Sequence, residues 1–272
     1  MGRKRDLISK TASKVSRPLS RTKRKARFKK SPRLIIVMLH HITAGEIPNN
    51  ESREITITTE NLRKYLTFLK SHYKICTLHE SARLIRQGEE GPFLVLSFDD
   101  GYTDFYENAF PILKELGLPA NQNLIVRYTD ESQPGYMNWA QVKELHDSGL
   151  IEFGCHTYDK HHLIGDKAML LSENEQEIVS DLIKAKESFL KNLGFSPDIL
   201  AWPYGEKPKS ISNEKLRELG FKACLNTKSG VNFRPMKFMD LKRFAVLDFE
   251  TPEKLGDIIQ GYDSLGFLLG KH

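Results

Sequence analysis

Three stretches of the chain are apolar at nearly every position and stop abruptly at polar or turn-forming residues. Leu34 to Leu39 runs into His40-His41, Phe93 to Phe98 runs into Asp99-Asp100-Gly101, and Ile199 to Trp202 runs into Pro203-Tyr204-Gly205. An apolar run without alternation fits a parallel strand covered on both faces, and such sheets carry their chemistry at the carboxyl ends of the strands. Between these runs the pattern changes to helical spacing. Leu62, Tyr65, Leu66 and Leu69 recur on one helix face behind a cap at Thr59, and Glu173 to Leu193 is the longest such pattern, with Gly194 beyond it. Helices are also expected over 81–87, 105–116 (stopping at Gly117), 139–146 (with Asn138 as cap and Gly149 as stop), 213–219 and from Thr251 onward. Shorter strands are expected over 73–78, 120–126, 151–155, 221–225 and 242–247. Strands alternating with helices predict a parallel α/β fold, barrel or open sheet.

The Asp99-Asp100 pair gives this layout its first chemistry. Neighbours in a regular strand point to opposite faces, so both carboxylates reach one site only if the pleat breaks, which Gly101 permits. A single Asp in that place would be an ordinary turn residue. Two adjacent carboxylates repel, and one would stay protonated unless a cation absorbed the charge. The cluster from His156 to His162 adds imidazoles after the strand 151–155. Positions five apart lie roughly 140° apart around a helix, so His156 and His161 can share a ligand only from a loop. Two imidazoles and a carboxylate form a set that suits Zn2+ with an open position and also fits Fe2+, Co2+ or Ni2+.

Composition changes the picture at one end only. The 272 residues are 39% hydrophobic, enough for a single ample core, and contain no apolar stretch near the ~20 residues that span a bilayer. Cys76, Cys155 and Cys224 are too few and too scattered for a disulfide framework or a thiolate zinc site. The net charge of +6 conceals a segregation: residues 1–33 hold fourteen Lys and Arg against Asp6 alone, leaving the remainder acidic by seven charges. That arm lacks hydrophobic periodicity and the apolar core of a signal peptide, so residues 1–33 read as a disordered basic arm and 34–272 as the folded domain. The expected location is cytoplasmic, or peripheral at the inner face of a membrane through contact between the arm and anionic head groups. A solubilising tail explains the arm equally well.

The motifs Ser97-Phe98-Asp99-Asp100-Gly101, His156-Thr157 with His161, and Trp202-Pro203-Tyr204-Gly205 resemble those of the polysaccharide deacetylases, the NodB-homology or carbohydrate esterase family 4 proteins. The resemblance spans about Leu34 to Leu247. The five-residue histidine spacing and the histidines after the first strand are similar to the poly-β-1,6-N-acetylglucosamine deacetylase branch. The resemblance implies a single distorted parallel (β/α) barrel, with Asp99 as general base and Asp100, His156 and His161 as metal ligands, His162 remaining a rival. The arginine that often precedes the Pro-Tyr-Gly turn is Ala201 here, and Arg243 is the candidate for its place. No late Leu-x-His supplies a general acid, the terminal His272 being the only histidine there. His40 takes that role in preference to His41, and a backbone N–H near Tyr204 would hold the oxyanion.

The implied reaction is hydrolytic removal of N-acetyl groups from a glycan containing N-acetylhexosamine, dependent on a divalent metal, Zn2+ first. Implied partners are an N-acetylated polysaccharide, oligosaccharide or lipid-linked sugar; nucleic acid is not expected. Two alternatives stay open: a deacylase of lipid-linked sugars or O-acetyl esterase, and a catalytically inactive glycan- or anionic-surface-binding protein on the same scaffold. The family is often extracytoplasmic, which stands against the location read from the missing signal peptide.

Overall fold

The computed structural model describes residues 33–47, 51–248 and 251–259. Residues 1–32 of the basic arm and His272 lie outside the described residues, whereas Arg33, read from the sequence as the end of the arm, is instead the buried first residue of a strand and pairs with Phe233. The first apolar run is β1 (Arg33–Leu39), followed by β2 (His41–Thr43), β3 (Thr56–Thr58) and α1 (Thr59–His72). Next come β4 (Lys74–Ile75), α2 (Leu78–Arg86), β5 (Phe93–Phe98), a π-helical turn over Phe105–Ala109 and α3 (Phe110–Leu116). The middle of the chain forms β6 (Ala120–Leu124), α4 (Val126–Asp130), α5 (Trp139–Asp147), β7 (Ile151–Cys155), β8 (Leu163–Ile164), β9 (Lys167–Ala168) and α6 (Glu175–Leu193). The last elements are β10 (Ile199–Ala201), α7 (Asn213–Glu218), β11 (Ala223–Leu225), β12 (Asn232–Phe233), β13 (Phe244–Ala245) and α8 (Pro252–Ile259).

The main sheet runs β11-β10-β7-β6-β5-β1, parallel throughout, with β13 parallel to the far edge of β1. Leu225 at the end of β11 also bridges Leu241, in parallel, so the segment leading into β13 touches both edges of the sheet. The sheet therefore curls into the expected distorted barrel, closely paired where β1 meets β5 from Leu34↔Phe93 to Leu39↔Phe98 and thin where β7 meets β10 only at Cys155↔Leu200.

Strand parity separates inside from outside. Phe93 and Val95 share an apolar cluster with Leu34, Ile36, Ile199, Ala201, Ala223 and Leu225 from the neighbouring strands, whereas Leu94, Leu96 and Phe98 join the cluster that holds the helix residues. Leu78, Leu84 and Ile85 of α2 belong to the inner cluster, so that helix closes the amino-terminal end of the barrel. A cleft of about 950 Å³ opens beside it between Leu78, Ile199, Ala223 and Phe238, at the end away from the Asp pair.

Element boundaries follow their caps. Asn138 with Gln141, and Asn174 with Glu177, form reciprocal capping boxes at the starts of α5 and α6, and Gly117 and Gly194 end α3 and α6 with φ of 63° and 76°. Some boundaries differ from the sequence reading. Thr58, not Thr59, caps α1, and its hydroxyl accepts the Asn61 N–H. The strand expected over 73–78 shrinks to β4 because the Thr77 hydroxyl caps Glu80 N and starts α2 at Leu78. The helix expected over 105–116 opens with a π turn, the Phe110 N–H reaching back to Phe105 O just before Pro111, which has no N–H to give.

Candidate metal centre

Inward-facing positions on β5 are 93, 95, 97 and 99, so Ser97 and Asp99 continue the row begun by Phe93 and Val95. The backbone then leaves the strand: Asp100 has φ 75° and Gly101 φ 84°. Both carboxylates reach one site because this pair of left-handed residues breaks the pleat, and Asp100 itself adopts a conformation that L residues rarely take. At Gly101 a Cβ would also stand 2.9 Å from Leu124 Cδ2.

His156, at the end of β7, and His161, from the loop beyond it, converge on Asp100. Their Nε2 atoms lie 3.3 and 3.4 Å from Asp100 Oδ1, and the ligand atoms of all three residues fall within 4.8 Å of one another. Donor atoms about 2.1 Å from an ion at tetrahedral angles stand about 3.4 Å apart, so these separations match a shared cation. Asp100 Oδ1 is buried without a hydrogen-bond partner, as an atom reserved for an ion would be. His156 Nδ1 donates to Ala201 O at 2.7 Å, which leaves Nε2, on the Asp100 side, as the nitrogen that would coordinate an ion. Burial pushes the Asp100 carboxyl up, but the surrounding imidazoles of His156, His40 and His161 overcome it and hold the group well below the usual carboxylate range. For His161, burial and the His156 charge lower the imidazole to about 4, so it stays neutral and able to coordinate. His162 faces elsewhere, with Nε2 3.1 Å from Asp159 Oδ1.

Asp99 is held in a different way. Arg243, fully buried directly before β13, places Nη1 2.8 Å from Asp99 Oδ1 and 2.7 Å from Oδ2. Arg243 Nε is itself fixed on Asn226 O at 2.9 Å. Burial raises the Asp99 carboxyl, while Arg243, His156 and His40 lower it further, so the group is ionised. Asn123 Nδ2 donates to Asp99 Oδ1 at 2.7 Å, a contact that sequence reasoning missed. Its signal was present: Asn121-Gln122-Asn123 are consecutive amides in a strand buried throughout, where polar side chains persist only if they are hydrogen-bonded. Asn121 pairs with Ser97 Oγ at 3.2 Å and extends the same network.

The remaining expected residues lie around this core. His40 feels Asp100, Asp99, Arg243 and His156 electrostatically; burial lowers its pKa, and the two carboxylates oppose the shift. His41 is committed elsewhere, with Nδ1 2.6 Å from Asp104 Oδ2 and its ring stacked 3.5 Å from Tyr102. Tyr204 has φ 56° in the turn after β10 and sets its exposed ring 4.8 Å from that of His161. Ala201, where the motif arginine is missing, contributes only its carbonyl.

Comparisons with known proteins place the chain in a family and a fold. The poly-β-1,6-N-acetyl-D-glucosamine N-deacetylase of Staphylococcus aureus (strain MRSA252) is 31% identical over 163 residues, 58% of this chain and 56% of that protein. The Staphylococcus epidermidis protein of the same name is 31% identical over 181 residues, 63% of this chain and 60% of its own length. The chain thus spans between half and two thirds of the length of these curated relatives. Among solved structures, the Streptococcus pyogenes deacetylase PplD in complex with acetate superposes with a TM-score of 0.74 at 21% identity, over 85% of this chain and 99% of that one. IcaB from Ammonifex degensii gives 0.69 at 24% identity, over 84% and 95%. At these identities the two superpositions establish the fold. The polysaccharide deacetylase family model matches residues 86–224, just over half of the sequence and the stretch that carries Asp99, Asp100, His156 and His161, and the chain belongs to that family.

Proposed function

We propose that this protein is a metal-dependent hydrolase that removes N-acetyl groups from a glycan containing N-acetylhexosamine. The observation that carries the reading is the pairing of two differently held carboxylates. Asp100 shares a three-ligand cluster with His156 and His161, while the adjacent Asp99 is kept ionised by Arg243. The names of the staphylococcal relatives supply the substrate class, an N-acetylglucosamine polymer.

A divalent cation held by Asp100, His156 and His161, Zn2+ by the donor set, would polarise the amide carbonyl and lower the pKa of water toward ~7. Asp99 accepts the proton of the water that attacks the carbonyl carbon. Its two contacts with Arg243 and the one with Asn123 fix the carboxylate, so an oxygen stays aimed at that proton. The backbone N–H near Tyr204 is the donor proposed for the developing oxyanion. His40 then gives its proton to the nitrogen as the C–N bond breaks, releasing acetate and a free amino sugar. Residues 1–32, with their dense positive charge, would hold the domain near an anionic surface.

Acetate release from neutral oligomers, polymer and lipid-linked N-acetyl sugars tests the reading. Asp99→Asn should bind Zn2+ normally and lose activity by about 10²–10⁴. Asp100→Ala should lose both. Normal turnover by Asp99→Asn would overturn the assigned base, and preference for an O-acetyl ester would change the substrate class.

A further inference from the structure

Both imidazoles of the cluster come from one loop, and the loop has two adjacent histidines from which to choose. His161 meets Asp100, whereas His162 turns to Asp159. Neighbouring side chains in a loop point in different directions, so the choice depends on the phase at which the backbone is held. Each N–H between the ligands is occupied after Thr157, which has φ 69°. The Tyr158 N–H donates to Asp181 Oδ2 at 2.8 Å, the Asp159 N–H to Asp181 Oδ1 at 2.9 Å, and the Lys160 N–H to Thr157 Oγ1 at 3.2 Å. On the opposite flank, the Thr157 and Tyr158 carbonyls accept the Val126 and Arg127 N–H groups at 3.2 and 3.0 Å.

Asp181 lies on the buried face of α6, in the same row as Ile178, Leu182 and Ala185, and is 7% exposed. It makes no ion pair among the described residues; Lys160 Nζ goes to Glu173 Oε1 at 2.9 Å instead. A carboxylate buried without a cation is unfavourable unless it satisfies donors that would otherwise be orphaned. Here each oxygen takes one backbone N–H of the ligand loop.

We propose that Asp181 is a positioning residue that locks the loop so that His161, and not His162, completes the metal cluster. This rests on the metal-centre reading given above. The carboxylate touches no ligand; it acts by fixing the two peptide groups that precede Lys160-His161. Because the other flank is tied by backbone bonds, a substitution at Asp181 removes its two contacts without touching that flank.

The test measures Zn2+ dissociation constants by chelator competition, and the visible absorption of the Co2+-loaded form, on the full chain. Asp181→Asn keeps the side-chain shape but sets an amide nitrogen against a backbone N–H. It should bind Zn2+ about 10–100-fold more weakly, the range for outer-shell substitutions, and show an altered Co2+ spectrum. Ile178→Val, which trims the same buried helix face, should stay within about twofold of wild type. His162→Gln should also bind as wild type does, while His161→Gln should lose the site. Wild-type affinity and spectrum in Asp181→Asn would overturn the clamp alone. A loss in His162→Gln equal to that in His161→Gln would overturn the selection, whatever the fate of the Asp181 variants. Absence of Zn2+ binding by the wild type would overturn the clamp together with the reading beneath it.

Discussion

Asp99 and Arg243 are a charge pair almost without water, at 2% and 0% exposure. Removing one member of such a pair strands the other, which typically destabilises by about 3–5 kcal/mol, whereas removing both leaves no orphaned charge. Arg243→Leu should therefore lose roughly that much in urea unfolding, and the double variant with Asp99→Asn should lose clearly less than Arg243→Leu alone; equal losses would mean that the pair is not coupled. A second constraint sits beneath it. A Cβ added at Gly154 would stand 2.1 Å from Asn123 Oδ1, and Asn123 cannot swing away without releasing Asp99. Gly154→Ala should cost about 1–3 kcal/mol and lower kcat while leaving Zn2+ affinity near wild type, since the ligands are untouched. Asp99 and Asp100 were legible because they stand where an apolar run ends, and His156 because it opens a cluster of three histidines after a strand. Asn123 was not, because which of the consecutive amides 121–123 reaches Asp99 depends on the register of β6 against β5, which the sequence does not reveal. Arg243 emerged only as a substitute for the arginine missing at Ala201, since nothing local to it marks a buried guanidinium.

At the scale of elements, α2 is held to the base of the barrel by His79. Its ring stands between Glu152 of β7 and Asp198 just before β10, with both nitrogens 2.7 Å from carboxylate oxygens. The hydrogen bonds to Asp198 and Glu152 raise this imidazole to about 10. A group whose folded pKa lies above its unfolded value near 6.5 contributes fully below the unfolded value, and the contribution fades as pH rises through the folded one. His79→Gln should thus be less stable than wild type at pH 6, and the gap should close by about pH 11. The side chain is 54% exposed, so solvent screening limits the gap to about 1 kcal/mol. A gap that widened with pH would contradict the assignment. The elements themselves were legible in proportion to their length. β1, β5, α1 and α6 are long enough to show an unbroken apolar run or a helical period, whereas β2, β3, β12 and β13 have only two or three residues each and are fixed by pairing with distant segments. The π turn before α3 also escaped, because no apolar period distinguishes a widened turn ahead of a proline from the helix it enters.

For the whole molecule, the three proposed metal ligands matter because they tie together parts of the chain that only the fold brings near. Asp100 follows β5, His156 follows β7, and His161 belongs to the loop clamped by α6. A cation that binds this arrangement and not the unfolded chain stabilises the native state by mass action, about 2.7 kcal/mol when its free concentration is a hundred times the dissociation constant. For a domain of this size, each kcal/mol moves Tm by about 2–4 °C. Stripping Zn2+ with a chelator should therefore lower Tm by roughly 5–10 °C, and added Zn2+ should restore it. Asp100→Ala should start near the stripped value and respond to neither treatment, because the remaining imidazoles no longer share a carboxylate. Arg243→Leu should start lower still yet keep the Zn2+ response, since its loss strands Asp99 without moving a ligand. An equal fall in Tm on chelation of wild type and Asp100→Ala would place the stabilising ion elsewhere, and the metal-centre reading would then lose its thermodynamic support.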